Sequence, residues 1–197
     1  MLSLEQGRKL ITLARDSISS YFSRKEVKAS SDIKKEFGER MGAFVTLNKD
    51  DHLRGCIGFS DAIYPLYEAI AKAARAAAFS DPRFPPVDKE EFQEISIEVS
   101  ALTPPRLIEV RNPEDLIKKI EIGKDGLIVI GTFNSGLLLP QVAVEYKWNA
   151  KTFLDQTCVK AGLPADSWRD FGSCRVYKFQ SQVFSEERHS GNVKQIL

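Results

Sequence analysis

The chain has 197 residues, of which 43% are hydrophobic and 28% charged, a balance that supports a packed core and argues against disorder. Lysine plus arginine number 28 and aspartate plus glutamate 27, for a formal net charge of +1. The basic excess of a protein that lives on a phosphate backbone is therefore missing.

Ser3 and Gln6 fit a capping box, and Leu10, Ala14, Ile18 and Tyr21 follow at helical spacing, which predicts a helix over 4–22. The polar stretch Lys28 to Asp32 reads as a loop, with a short helix from Ile33 to Phe37 ending at Gly38. Gly42 to Leu47 reads as a strand, Asn48-Lys49-Asp50-Asp51 as a turn, and Leu53 to Phe59 as the returning strand. Pro65 suits the first turn of a helix whose stripe is Leu66, Ile70, Ala73, Ala74 and Ala77. That helix stops before Phe79-Ser80-Asp81-Pro82-Arg83-Phe84-Pro85-Pro86, a proline-stiffened extended loop.

Ile95, Ile97, Val99 and Ala101 alternate with Ser96, Glu98 and Ser100, the pattern of a half-buried strand. Pro104-Pro105 breaks it and marks a candidate domain joint. Asn112 and Pro113 start a short helix with Leu116, Ile117 and Ile120 inward. Asp125-Gly126 and Asn134-Ser135-Gly136 read as turns before two strands, Leu127 to Ile130 and Leu137 to Leu139, that form a hairpin. Gln141 and Glu145 then fall in a solvated loop. Asn149 caps a helix carrying Phe153, Leu154, Thr157, Cys158 and Ala161, stopped by Gly162 and Pro164. Cys174 to Phe184 reads as the last strand. Short hairpin connections dominate, so the expected fold class is α+β, with mainly antiparallel sheets and flanking helices.

Cys56, Cys158 and Cys174 are an odd, widely spaced set, which argues against a disulfide framework. With His52 and His189 as the two histidines, no zinc site of the usual spacing can be assembled from local sequence, which names no metal ligand and leaves a carboxylate-based site open. The start of the chain lacks a positive region followed by an apolar one. Apolar runs fall short of the ~18–20 residues of a membrane span. The expected location is cytoplasmic, with no membrane partner.

The chemistry concentrates in Leu53-Arg54-Gly55-Cys56-Ile57-Gly58. A thiol is useful as a thiolate. Arg54 is two residues from Cys56 on a strand, so both face one side and the guanidinium would favour the thiolate. Gly55 and Gly58 would let a substrate reach the backbone. The competing reading is a small buried cysteine with glycines serving tight packing. Asp81 and Arg83, held by prolines, either orient a polar substrate or brace the loop as an internal pair. His52 lies four residues from Cys56, ~13 Å along an extended strand, too far for a Cys–His pair there. Gly131 and Gly136 have the spacing of a phosphate loop, but Leu137-Leu138 stand where Lys-Ser/Thr is needed. Gln141 is a candidate polar group for substrate.

The hexapeptide resembles the hallmark of the AMMECR-type family, which is named for a human chromosomal region and has archaeal and bacterial members. Asp81-Pro82-Arg83-Phe84-Pro85-Pro86, Ile97-Glu98-Val99-Ser100, Asp125-Gly126-Leu127, Gly136-Leu137-Leu138-Leu139-Pro140-Gln141-Val142 and Ala161-Gly162-Leu163-Pro164 carry the same resemblance along nearly the whole chain. Phe59 departs from it, since many relatives have Thr there. The resemblance implies a single AMMECR-type domain over 1–197 with two subdomains and a cleft between them. The parts are expected at 1–40 plus 104–197 and at 41–103.

The resemblance also implies a modification pathway shared with Memo-type and radical S-adenosylmethionine proteins, and it carries no established reaction or cofactor. Three functions follow as expectations. The first is a cleft-based enzyme that depends on Cys56. The second is a non-catalytic binding module for a protein partner or small ligand. The third is a role in transcription, repair or translation, disfavoured by the charge balance. The N-terminal helix either pairs with a second copy in a homodimer or caps its own sheet.

Overall fold

The computed structural model describes residues 2–24 and 29–196. Six helices are α1 (Leu4–Ser23), α2 (Ser31–Glu36), α3 (Leu66–Phe79), α4 (Glu114–Lys118), α5 (Pro140–Glu145) and α6 (Ala150–Lys160). The strands are β1 (Gly42–Lys49), β2 (His52–Phe59), β3 (Ser96–Leu102), β4 (Arg106–Leu107), β5 (Asp125–Ile130), β6 (Ser135–Leu138), β7 (Arg175–Glu186) and β8 (Val193–Gln195). The registered strand pairs are antiparallel, so the fold class is the expected α+β.

The chain divides into two compact units, residues 1–102 with 182–197, and residues 103–181. This differs from the expected partition. The N-terminal helix belongs with the hexapeptide hairpin because α1 packs on β3 and α3, and the last residues of β7 return to the same unit. The joint at 102/103 does fall just before Pro104-Pro105.

In the first unit the strand order is β2-β1-β3-β7, with β8 on β7. One face of the sheet is apolar: Ala43, Val45 and Leu47 of β1 and Ile97, Val99 and Ala101 of β3 are buried. Onto it pack α1, through Leu10, Ile11, Ala14 and Ile18, and α3, through Leu66, Ala69, Ile70, Ala73, Ala74 and Ala77. The alanines keep the helix close to the strands. The N-terminal helix thus caps its own sheet. Its expected capping box is present, Ser3 accepting from the Gln6 amide and Gln6 from that of Ser3. Tyr21, expected in the apolar stripe, is half exposed and stacks on Phe79 at 3.9 Å between ring centres.

The hairpin turn is narrower than expected. Its centre is Asp50-Asp51, with φ of 50° and 60°, the two positive values of a turn whose twist suits a hairpin. The expected loop at Lys28–Asp32 gives way to α2, which starts at Ser31 on a cap from Ser30, while Lys28 lies outside the described residues.

The second unit has β6, β5, the first residues of β7 and β4 in that order. Its core holds Leu127, Val129, Phe153, Leu154, Cys158, Trp168, Cys174 and Val176. Two expectations change here. Asp125-Gly126 lie inside β5, paired with Gln180 and Phe179, and the Phe179 ring covers Gly126 where a Cβ would come within 2.3 Å. The solvated loop at Gln141 and Glu145 is the helix α5, which Pro140 opens because its fixed φ suits a first turn. No helix of the described residues is long and apolar enough to cross a membrane.

Candidate functional site

The site starts from the pairing of β2, whose one neighbour is β1. Thr46 stands opposite Cys56, and on its other side opposite Glu98 of β3. Directly opposed residues share a face, so Cys56, Thr46 and Glu98 form one row. It lies on the face away from α3, because Val45, Leu47 and Ile97, the neighbours in each strand, are those packed under the helices. The Thr46 hydroxyl donates to the Cys56 sulfur at 3.4 Å, and Cys56 is partly exposed.

The backbone of Cys56 is pinned at the sheet edge. Its N–H and C=O point away from β1, where no further strand pairs. The loop after α3 supplies both partners. Asp81 Oδ2 accepts from the Cys56 amide at 2.8 Å, and Arg83 Nη2 donates to the Cys56 carbonyl at 3.2 Å. Asp81 and Arg83 also pair with each other, Nε to Oδ1 at 2.9 Å and Nη2 to Oδ2 at 2.7 Å. The Asp81 side chain is 1% exposed and that of Arg83 51%. The Arg83 guanidinium first, then the Cys56 and Arg83 amides, hold the Asp81 carboxyl well below the usual carboxylate range against the opposing effect of burial. The loop thus acts as a short surrogate strand, and the reading of Asp81 and Arg83 as an internal brace matches this geometry.

Arg54 is engaged elsewhere. Its Nε and Nη2 reach both oxygens of Glu91 at 2.7 and 2.9 Å, and Nη2 also donates to the Pro85 carbonyl at 2.9 Å. The Phe84 ring lies 5.8 Å from its guanidinium carbon. The guanidinium beside the Cys56 backbone is that of Arg83, and not that of Arg54 as expected. The Nη1 of Arg54 is buried without a hydrogen-bond partner among the described residues.

The glycines answer to the protein's own packing. A Cβ at Gly55 would meet the Ala77 carbonyl of α3 at 2.2 Å, so the backbone that comes close is the chain's own. A Cβ at Gly58 would strike the Phe44 ring at 2.3 Å and the Ala43 carbonyl at 2.4 Å. His52 sits exposed at the hairpin end opposite Lys49. His189 is held against Arg15, Nδ1 to Nη1 at 2.8 Å, and edge-on to Phe92. Gln141 belongs to the second unit, on α5, where its Oε1 is buried without a hydrogen-bond partner. Gly131 and Gly136 flank the β5–β6 turn, closed by Gly131 N–H donating to the Asn134 carbonyl at 2.8 Å.

Sequence reasoning missed Thr46 and Glu98. Glu98 is partly buried, and burial alone raises its pKa. No hydrogen bond or ion pair reaches it among the described residues. Its one sequence signal was an acid on the polar side of the alternating strand β3.

The three thiols differ in kind. Cys158 and Cys174 are buried in the core of the second unit, where contact with Cys174 and burial push the Cys158 thiol up. Cys56 is partly exposed, with its backbone hydrogen-bonded to Asp81 and Arg83.

A profile of the AMMECR1 family matches residues 11–184. The chain belongs to the AMMECR1 family. A protein of Pyrococcus furiosus is 52% identical over 196 residues, covering 96% of this chain and 92% of that one. One of Methanopyrus kandleri is 49% identical over 197 residues, covering 98% and 95%. The crystal structure of uncharacterized protein PH0010 from Pyrococcus horikoshii is similar with a TM-score of 0.86 and 50% identity, over 96% of this chain and 95% of that one. These AMMECR1 relatives span the full α+β fold, and their names state no activity.

Proposed function

We propose that this AMMECR1 protein is an enzyme whose reaction runs at Cys56, in a cytoplasmic modification pathway. The observation that carries the reading is the contrast at that residue. Its backbone is held at both polar atoms by the Asp81–Arg83 loop, while its sulfur accepts from one hydroxyl and the residue stays partly exposed. A fixed backbone under an accessible side chain is the preorganisation a nucleophile needs. Thr46 is the hydroxyl placed to hydrogen-bond a thiolate, and Glu98 the acid or base of the row.

The family resemblance supports Memo-type and radical S-adenosylmethionine proteins as partners in that pathway. Net charge gives no support to a nucleic-acid role. One observation favours a second reading, a binding module for a protein or small ligand. Arg54, Asp81 and Arg83 are all spent on internal pairs, so they serve shape more readily than chemistry.

Complementation separates the two. Cys56→Ser, expressed in cells depleted of their own copy, is expected to fold with an unchanged melting temperature and to fail. Full rescue by that variant would remove the thiol chemistry and leave the binding reading.

A further inference from the structure

The charges around Cys56 can be matched one by one. Arg83 pairs with Asp81, and Arg54 with Glu91. Lys49, at the hairpin end, pairs with Glu94 and approaches Glu91. Among the described residues Glu98 has no such partner. It is partly buried on the face of β3 away from the helices, and burial raises its pKa with no described cation opposing it. Its neighbours on that face along β1 and β3 are neutral: Thr46 opposite, and Ser96 and Ser100 two residues either way along β3.

A partly buried carboxylate without a counter-charge is costly. Proteins keep such a group where a ligand supplies the missing charge. The spacing fits a small substrate. Cys56 and Glu98 are separated by two strand spacings, roughly 10 Å between Cα atoms, with the short Thr46 side chain between them. A group lying over Thr46 can reach the sulfur with one end and the carboxylate with the other.

We infer that Glu98 is the residue that recognises a primary ammonium on the substrate handled at Cys56, so that the substrate class is an amine, such as a lysine side chain or a small free amine. The inference rests on the reading of Cys56 as the reactive group. It adds a specificity-determining residue that touches substrate, and it accounts for the one unmatched charge on this face. Hydroxyls at Thr46 and Ser96, both partly exposed, suit an ammonium, which brings three donors and needs acceptors for them.

The test uses three methanethiosulfonate reagents of similar size on the whole protein, all at one pH near 8. Aminoethyl methanethiosulfonate carries the ammonium, the methyl reagent is neutral, and the sulfonatoethyl reagent is anionic. In each, the Cys56 thiolate attacks the sulfenyl sulfur, an S–S bond forms, the bond to the sulfinate breaks with its electron pair, and the thiol proton passes to water. Labelling is read at the Cys56 peptide by mass and normalised to a free thiol in solution.

The expected result is roughly fivefold faster labelling by the ammonium reagent than by the neutral one, with the anionic reagent slowest, for one charge acting across a partly screened gap. Glu98→Gln should bring the ratio to about one, and Glu98→Asp should keep most of the preference, which separates charge from folding. A preference already absent in the parent protein, or unchanged in Glu98→Gln, overturns the inference while leaving Cys56 reactive. Failure of the neutral reagent to label Cys56 overturns instead the reading on which the inference rests.

Discussion

The two faces of the sheet in the first unit obey different rules. On the helix side the positions of β1, β3 and α3 named above are apolar or small, apart from the Arg15–Glu186 pair between α1 and β7, and the limit is space. Gly55 and the alanines of α3 let backbone approach backbone. On the open side the limit is charge. A thiol, a hydroxyl and a carboxylate stand in one row, and the carboxylate has no partner. The same strands serve both faces because side chains alternate along them. The hexapeptide is therefore two devices in one: its odd-numbered residues from Gly55 dock the hairpin to α3, while Cys56 is presented to the other side.

If that division is right, substitutions should split by face. The largest effect belongs to Gly55→Ala. The added Cβ would press on the Ala77 carbonyl at 2.2 Å, and backbone cannot step aside as a flexible side chain can. A loss of about 3 kcal/mol or more in denaturant unfolding is expected, at the upper end for overpacking. A loss under about 1 kcal/mol would mean that α3 slides easily and the packed face is less constrained than described.

Asp81→Ala comes next, with an expected loss of about 2–3 kcal/mol. It strands the Cys56 amide and leaves Arg83 without its counter-charge. Its pH dependence is also fixed in sign. The folded pKa lies below the unfolded one, so the contribution is full above the unfolded value of ~3.9 and is lost as pH falls toward the folded value. The destabilisation by Asp81→Ala should therefore shrink in acid. A gap that stays constant down to pH ~2 would break the assignment.

Glu98→Gln should act in the opposite direction. Here the folded pKa is raised, so stability is fully present below the unfolded value of ~4.3 and falls as pH rises through the folded value. Glutamine escapes that loss. The variant should be more stable than the parent at neutral pH and equal to it in acid, as read by thermal melts across pH. A variant less stable at every pH would show that Glu98 is held by a partner after all. Thr46→Val is expected to change stability least, by about 0.5 kcal/mol, since it removes one weak bond to sulfur. Its larger effect should be on Cys56 reactivity.

The packed face was legible in the sequence and the open face only in part. Periodicity of two placed β3, composition and turn chemistry placed β1 and β2, and periodicity near four placed α1 and α3. The strand β8 is three residues long, too short to leave one. Arg54 shows where the pattern misleads. Spacing of two predicts a shared side with Cys56, but the register shifts between Leu47↔Gly55 and Asn48↔Leu53, which leaves Arg54 as an extra residue of β2, and its guanidinium goes to Glu91, 37 residues on. Glu98 looked like any polar residue of a half-buried strand. That it has no counter-charge is a property of everything around it, which no local spacing records. The resemblance named the hexapeptide without assigning the jobs of its members, and the geometry moved weight from Arg54 to Arg83 and Thr46.

The account turns on Cys56 being presented for reaction while the other two thiols are packed away. The direct measurement is labelling of the native protein by a neutral thiol reagent over pH ~5–9, with each cysteine read by peptide mass. The account predicts that Cys56 reacts at a rate near or above that of a free thiol, with Cys158 and Cys174 protected until unfolding. Protection of all three in the native state would contradict it, and would return Cys56 to the role of a small residue filling a sheet.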